Sequence, residues 1–149
     1  MVITVRLGCE EDIPFLASLE KECFSSPWSE KSFRDFFRTE CSVCFVAEAD
    51  GKPCGYIGAY VVCGEGEITN LAVTESCRRL GIGRTLMKAL RRTDGISRLT
   101  LDVRESNKPA YSLYEGLGFK VDGKRKNFYQ NPREDGILMS MDITEFKDG

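Results

Sequence analysis

The segment RRLGIGR, residues 78–84, decides the fold of this chain, because it joins two elements of different type. The apolar run at residues 71–73 predicts the end of a strand, and the amphipathic pattern of residues 85–92 predicts a helix. Gly81 and Gly83 therefore lie where a strand passes into a helix, with arginines on both sides.

A helix that begins after a glycine-containing turn suits an anionic ligand. The first N–H groups of a helix lack intrahelical acceptors, and the helix dipole favours negative charge there. Glycine lets the backbone approach a ligand closely and adopt positive φ, and Arg79 and Arg84 add positive charge at the rim. The spacing fits neither the Rossmann nor the P-loop pattern. Spacing alone therefore leaves a pyrophosphate site and an ordinary tight turn equally open.

The remaining pattern predicts one domain, residues 1–149, of mixed α/β structure. Predicted strands cover residues 2–7, 43–49, 55–62, 67–73, 99–103, 119–121 and 137–143, and predicted helices cover 10–23, 29–38, 85–92 and 109–117. We expect a hairpin turn at Gly51-Lys52 and Ser29 as a helix cap. Hairpin-joined strands imply a mainly antiparallel sheet, and the passage through residues 67–103 requires a parallel crossover.

Composition and charge narrow the class of protein. No apolar run approaches the roughly 18–20 residues of a membrane span, and the N-terminus lacks the pattern of a secretory signal. We therefore expect a cytoplasmic protein without a membrane partner. The net charge is −2, although residues 76–93 carry six bases and no acid. That segment is either a solvated helix face or a local anion site, and nucleic acid is not an expected partner, because its binders are basic overall.

The cysteines do not indicate a metal site. There are seven cysteines at irregular spacing and no histidine, and Cys41 and Cys44 form an isolated CxxC pair. We expect no bound metal. Cysteines inside apolar runs are typical of buried, reduced thiols, which suits a reducing compartment.

The segment LAVTESCRRLGIGRTLM, residues 71–87, resembles the acetyl-CoA-binding segment of the GCN5-related N-acetyltransferases (GNAT). The family signature Arg/Gln-x-x-Gly-x-Gly/Ala is met by Arg78, Gly81 and Gly83. The segments FSSPWS, EITNLAV, LDVRESN, LYEGLGF and KRKNFYQNPREDGILMSM resemble the RimI-type ribosomal-protein alanine N-acetyltransferases over nearly the whole chain. This resemblance implies the GNAT fold, a mixed, mainly antiparallel α/β (α+β) sheet of about six to seven strands flanked by about four helices.

The resemblance implies an N-terminal protein acetyltransferase. Such an enzyme transfers acetyl from acetyl-CoA to the α-amine of a protein N-terminus by direct attack in a ternary complex, and the family points to a ribosomal protein as substrate. The alternatives are acetylation of a small-molecule amine or a lysine, or a CoA-binding module without turnover. We expect a monomer or a weak dimer.

The resemblance also implies which residues hold acetyl-CoA. One strand would pair with the pantetheine arm, and the turn that follows would hold the pyrophosphate. The implied contacts are Leu71, Ala72 and Val73 for the arm, Arg78, Arg79, Leu80, Gly81, Ile82, Gly83 and Arg84 for the pyrophosphate, and Asn107 for a further contact with CoA.

The implied proton donor is Tyr114, whose phenol can protonate a departing thiolate. The general base is left open between two carboxylates. Asp102 occupies the position of the family's glutamate, and Glu67 opens the neighbouring strand. Asp102 has a structural alternative as the partner of Arg104 or as the cap of a loop, and Glu67 has one as a solvated strand end.

Two regions are implied to form the walls of the acceptor site. Phe24 and Trp28 lie before the second predicted helix, and Tyr129 lies in the charged segment 124–136. Trp28 has an equally weighted alternative as an anchor that plugs the core.

Overall fold

Seven strands form one sheet in the order β1-β2-β3-β4-β5-β7-β6 in the computed structural model, which describes residues 1–143. The strands are β1 (Ile3–Leu7), β2 (Ser42–Ala49), β3 (Lys52–Val62), β4 (Glu65–Val73), β5 (Arg98–Arg104), β6 (Lys120–Tyr129) and β7 (Glu134–Asp142). Neighbouring strands run antiparallel except β4 and β5, which are parallel. The predicted mixed, mainly antiparallel sheet with a parallel crossover is confirmed.

Four α-helices cover the sheet: α1 (Ile13–Cys23), α2 (Glu30–Phe37), α3 (Ile82–Arg91) and α4 (Lys108–Gly116). Ser29 caps α2 as predicted, because its Oγ accepts the Ser32 N–H at 3.1 Å. The predicted helix over residues 10–23 begins instead as a 3-10 turn at Glu10–Asp12, which leads directly into α1. In the described part of the chain, no helix is both long and apolar enough to cross a membrane.

The helices pack on opposite faces of the sheet. α1 and α2 pack on one face, where Leu16 and Phe33 meet Val46 and Tyr56 of the strands. α3 and α4 pack on the other, where residues such as Leu86 contact the wider core. Side chains that alternate along β4 and β5 therefore point alternately toward α1 and α2 or toward α3 and α4.

An ion pair joins the first strand to the start of α1. Arg6 donates to both carboxylate oxygens of Asp12, at 2.9 and 2.8 Å. The hydrogen bond from Arg6 holds the pKa of the Asp12 carboxyl below its ordinary value, against the opposing effect of burial.

Several predicted boundaries are wrong, and three of these differences have a clear physical reason. The first hairpin turn is Asp50-Gly51, whose φ angles of 51° and 83° fit a two-residue type I′ loop. α3 begins at Ile82 rather than at residue 85, because Gly81 serves as its N-cap in the left-handed region. β6 extends to Tyr129, although only residues 119–121 had strand character in the sequence. Its side chains are exposed on both faces at the sheet edge, so it carries no alternating pattern.

Candidate active site

β4 and β5 separate after a short paired stretch. Their parallel pairing covers residues 65–67 of β4 and 98–100 of β5, although both strands continue well beyond it. Within residues 1–143, the remainder of β4 is therefore paired only with β3. A gap between the two strands opens at the centre of the sheet.

A β-bulge in β4 accounts for this gap. Asn70 pairs with Gly58 and Ile68 pairs with Ala59, so Thr69 is an extra residue without a partner on β3. A bulge bends the strand that contains it and increases the local twist. The bulged residue lies two positions after the last residue that pairs with β5, and the two strands diverge in this region.

Leu71 and Val73 direct their backbone groups into the gap. The Thr74 N–H donates to the Cys54 carbonyl on β3 at 2.8 Å, and backbone groups alternate in direction along a strand. Ala72 therefore faces β3, whereas its two neighbours face away from it. The Val73 carbonyl already accepts the Arg78 Nε at 3.1 Å, so the groups without a partner within residues 1–143 are the Leu71 amide and carbonyl and the Val73 amide.

The N-terminus of α3 has no capping side chain. Gly81, with φ of 75°, is its N-cap, and the first turn contains no acidic residue. The Thr85 N–H donates to the Gly81 carbonyl at 3.0 Å, so the amides of residues 82–84 precede the first α-helical bond. A Cβ on Gly81 would meet no atom within 4 Å, so this turn faces open space. It offers unpaired N–H donors and the positive end of a helix dipole.

The two glycines have different roles. Gly81 has the positive φ that was predicted, and Gly83 does not, because Gly83 lies inside the first turn of α3. A Cβ on Gly83 would lie 3.8 Å from Leu71 Cδ2, which is an ordinary contact. Gly83 therefore sits beside the side chain of Leu71, and this contact places the start of α3 next to the gap.

The other residues of this turn divide into anchors and exposed groups. Ile82 is buried in the core and fixes α3. The Arg78 guanidinium is bound to the Val73 carbonyl and lies 3.4 Å from Cys23 Sγ, so it braces the turn. The residues that remain exposed around the turn are Arg79, Leu80 and Arg84.

Asn107 caps α4, because its Oδ1 accepts the Ala110 N–H at 3.2 Å. This confirms the predicted start of the helix near Asn107. The amide nitrogen of the same side chain makes no contact in the described chain and can still donate to a ligand.

Tyr114 is buried in the last turn of α4 and packs edge-on against Phe119. Its hydroxyl makes no hydrogen bond to any of residues 1–143. Burial, with a smaller effect of Tyr129, raises the pKa of this phenol above its ordinary value. Tyr114 therefore stays protonated throughout the neutral range. Tyr111, one turn earlier, is only partly buried and its hydroxyl donates to Glu115 at 3.4 Å.

Asp102 does not pair with Arg104. Its Oδ1 lies 2.9 Å from the Nε of Arg125 on β6, but the guanidinium is not aligned for a hydrogen bond, so Oδ1 is buried in an ion pair and unbonded. Arg104 instead reaches Glu134 at 3.2 Å. Asp102 lies opposite Leu138 of β7, on the face of the sheet away from α3 and α4.

Glu67 lies on the same face, at the last position where β4 pairs with β5. Its partner is Thr100, two residues before Asp102, so the two carboxylates lie at the base of the gap on neighbouring strands. Glu67 is exposed and, among the described residues, makes no ion pair. Both candidate bases are therefore brought to the same place.

Tyr129 connects the two sides of the site. Burial first, and then the negative charge of Asp102, raise the pKa of its phenol to about 12, against an opposing effect of Arg104. The Arg104 guanidinium lies over its ring, 4.6 Å from the centroid. Tyr129 also raises the pKa of Tyr114, so the two phenols lie near each other. The residues predicted for proton transfer and for acceptor binding therefore lie together near the end of β5.

Phe24 and Trp28 lie in the loop between α1 and α2, and both are partly buried against the core on that face. The Trp28 ring packs at 5.3 Å from Phe33 and 5.9 Å from Phe36, which agrees with the anchoring role given as its alternative. Glu20 was not predicted from the sequence; it is a fully buried residue of α1 whose carboxylate accepts the Trp28 N–H at 2.9 Å. The signal for it was a glutamate on the apolar stripe of a helix.

Comparisons with known proteins bear on the family and the fold of this chain. The model of the acetyltransferase (GNAT) family matches residues 13–119. The ribosomal protein bS18-alanine N-acetyltransferase of Escherichia coli (strain K12) is 35% identical over 138 residues, which cover 89% of this chain and 93% of the relative. The crystal structure of the ribosomal-protein-S18-alanine N-acetyltransferase from Escherichia coli has a TM-score of 0.87 at 33% identity and covers 95% of this chain and 94% of its own. The crystal structure of Arabidopsis thaliana NAA60 in complex with acetyl-CoA has a TM-score of 0.84 and covers 95% of this chain and 99% of its own. Because its sequence identity is 19%, this similarity shows the fold alone.

Proposed function

The chain belongs to the GNAT family of acetyltransferases, and from this premise we propose that it transfers acetyl from acetyl-CoA to the α-amine of a protein N-terminus. The observation that carries the proposal is the gap between β4 and β5, which opens beside the uncapped N-terminus of α3. One extended ligand with a diphosphate and an amide-containing arm matches both features.

The residues around the gap fit acetyl-CoA. The unpaired amides of residues 82–84, with Arg79 and Arg84 at the rim, suit the pyrophosphate. The free backbone groups of Leu71 and Val73 suit the amides of the pantetheine arm, which would extend the sheet as an additional strand. Asn107 would donate through its free amide nitrogen.

Tyr114 serves in this proposal as the proton donor. Acetyl-CoA supplies the acetyl group as a thioester, and the sulfur becomes anionic as the acetyl group leaves. Tyr114 keeps its proton at neutral pH because burial raises its pKa. The same desolvated surroundings raise the proton affinity of a thiolate, which favours donation from Tyr114 Oη to the sulfur.

Asp102 and Glu67 are the two groups that can take the amine proton. Asp102 is held by Arg125, whereas Glu67 is exposed and can act through a water molecule. A modest base is sufficient for an N-terminal substrate, since an α-amine has a pKa of about 7.7–8.0 against about 10.4 for lysine. A useful fraction of the α-amine is already neutral near pH 7.

The substrate follows from the relatives. The Escherichia coli protein is named for the alanine of ribosomal protein bS18, and we propose an N-terminal alanine of the corresponding ribosomal protein as the acceptor here. Tyr129 and the loop that contains Phe24 and Trp28 would form the two walls of the acceptor site.

A peptide panel tests the proposal. Acetyl-CoA is incubated with hexapeptides that begin with alanine, serine or methionine, with a peptide whose N-terminus is blocked and whose lysine is free, and with spermine. We expect a mass increase of one acetyl group on the alanine peptide. Acetylation of the blocked peptide or of spermine instead would contradict N-terminal specificity, and CoA binding without transfer to any amine would contradict the enzymatic assignment.

A further inference from the structure

Glu20 is a fully buried carboxylate that the proposed chemistry does not use. Three donors surround it: the Trp28 N–H at 2.9 Å, the Tyr56 hydroxyl at 2.7 Å and the Asn70 amide at 3.1 Å. An isolated carboxylate at this depth would be costly, and these three bonds compensate for its loss of water. The donors lie in the loop between α1 and α2, on β3 and on β4. The Glu20 side chain therefore links three segments that are distant from one another in sequence.

The two carboxylate oxygens hold different parts of the molecule. Oε2 accepts from Tyr56 and Asn70, which fixes the carboxylate on the sheet. Among the residues that the structure describes, Oε1 accepts only from Trp28, in the loop between α1 and α2. Asn70 borders the bulge and directly precedes Leu71, so the loop is tied to β4 at the point where the strand enters the gap.

Two further contacts align the end of α1 with β4. Cys23 Sγ lies 3.6 Å from the Val73 carbonyl, and Glu22 Oε2 accepts the Glu75 N–H at 2.7 Å. The last turn of α1 thus follows the part of β4 that lacks a second partner strand. The loop leaves α1 from this turn, so its path is set by the same strand that faces the gap.

We propose that Glu20 is a positioning residue, which fixes the loop between α1 and α2 relative to β4 by accepting the hydrogen bond of the Trp28 amide. The assignment of this loop to the acceptor peptide rests on the proposed function. The holding of Trp28 itself does not, because it follows from the three hydrogen bonds. Loss of the tether should weaken binding of the peptide and leave binding of acetyl-CoA unchanged.

Three variants separate positioning from a general loss of structure. Glu20→Ala removes both oxygens. Glu20→Gln keeps one acceptor oxygen for Trp28, and its amide nitrogen can donate to the Tyr56 oxygen and, once the Asn70 amide is flipped, to Asn70 Oδ1, so it should restore the loop. Glu11→Ala is the matched control, because Glu11 is an exposed glutamate just before α1. Each variant is first checked for folding by circular dichroism and thermal unfolding.

Trp28 is the single tryptophan of the chain, so its fluorescence reports on the loop without any activity assay. For Glu20→Ala we expect a red-shifted emission, stronger acrylamide quenching, and a KM for the alanine peptide that rises about tenfold or more, as loss of a charge-assisted hydrogen bond implies. The KM for acetyl-CoA should change less than threefold. Glu20→Gln should return the peptide KM to within about threefold of wild type.

Any other result contradicts one identifiable part of the proposal. An unchanged emission in Glu20→Ala means that Glu20 does not hold the loop, and an exposed Trp28 with an unchanged peptide KM means that the loop does not position the acceptor. If Glu20→Ala fails to fold, Tyr56→Phe supplies the milder test, and a peptide KM that does not rise in that variant overturns the proposal. A wild type that acetylates no peptide defeats the proposed function, while the fluorescence still decides whether Glu20 holds Trp28.

Discussion

Replacement of Tyr114 by phenylalanine should remove activity and leave the fold intact. The substitution keeps the buried ring and its edge-on contact with Phe119, and it removes only the hydroxyl. Since that hydroxyl makes no hydrogen bond within residues 1–143, its loss breaks no contact in the protein. Asp102 Oδ1 is the one buried side-chain oxygen or nitrogen without a hydrogen bond within residues 1–143, so the Tyr114 hydroxyl is not cut off from solvent and its loss relieves no burial cost. We expect the free energy of unfolding to change by less than about 1 kcal/mol.

The expected catalytic loss is much larger. A positioned general acid contributes about 10²–10⁴ in rate, which corresponds to about 3–5 kcal/mol of barrier. The fall should appear in kcat, with the KM for acetyl-CoA nearly constant. Release of CoA is followed with a thiol reagent, and stability is measured by thermal unfolding. Tyr111→Phe is the matched control, because it removes a partly exposed hydroxyl one turn away, whose bond to Glu115 is long.

The pH profile adds an independent check. Because burial raises the pKa of Tyr114 above its ordinary value near 10, the phenol remains protonated as the pH rises through 8 and 9. The wild type should therefore show no alkaline loss of kcat below about pH 10 from this group. A Tyr114→Phe enzyme whose kcat lies within threefold of wild type would refute the role of Tyr114, and so would an equal loss in Tyr111→Phe.

Three further predictions concern the base, the pyrophosphate turn and acid stability. If Asp102 or Glu67 is the general base, its amide variant, Asp102→Asn or Glu67→Gln, should lose more rate at pH 6.5 than at pH 8.5, because the α-amine is mostly protonated at pH 6.5. Equal losses at the two pH values in both variants would argue against a base role for either residue. Gly81 and Gly95 have positive φ angles of 75° and 87° and face open space, so alanine at either position should cost about 1 kcal/mol of backbone strain. Only Gly81→Ala should raise the KM for acetyl-CoA, and Gly95→Ala serves as its matched control in enzyme kinetics. Asp12→Asn should lower the free energy of unfolding by about 1–3 kcal/mol at pH 7. Because the pKa of Asp12 is lower in the folded protein than its unfolded value of about 3.8, the carboxylate contributes its full stabilisation above pH 3.8, and this contribution disappears as the pH falls through the folded pKa. The difference between variant and wild type should therefore vanish at low pH, and identical urea midpoints at pH 7 would contradict the prediction.

The sequence predicted the elements wherever a buried face imposes a period. Leu86, Met87 and Leu90 mark the buried side of α3, and Leu99, Leu101 and Val103 mark one face of β5. β6 was underestimated because both of its faces are exposed at the edge of the sheet. Boundaries were missed where the backbone conformation decided them, as at Gly81, since a periodic pattern does not show which residue adopts the left-handed region.

Pairings between side chains could not be predicted in the same way. The sequence offered Arg104 as a partner for Asp102 because it lies two residues away, on the same face of the strand. The structure pairs Asp102 with Arg125, which comes from the far side of the hairpin of β6 and β7. Glu20 was missed for the same reason, since its three partners lie 8, 36 and 50 residues away. Such contacts depend on the strand order, which no local pattern encodes.

The bulge at Thr69 links the fold to the candidate site. Gly58, on the strand beside it, has no side chain, and a Cβ there would lie 2.8 Å from Thr69 Oγ1. Any larger residue would therefore require the Thr69 side chain to rotate or the bulge to shift. Regular pairing would let β4 continue alongside β5, and the free backbone groups of Leu71 and Val73 would then be used inside the sheet. A small residue on β3 thus leaves room for the bulge that opens the gap on the opposite side of β4.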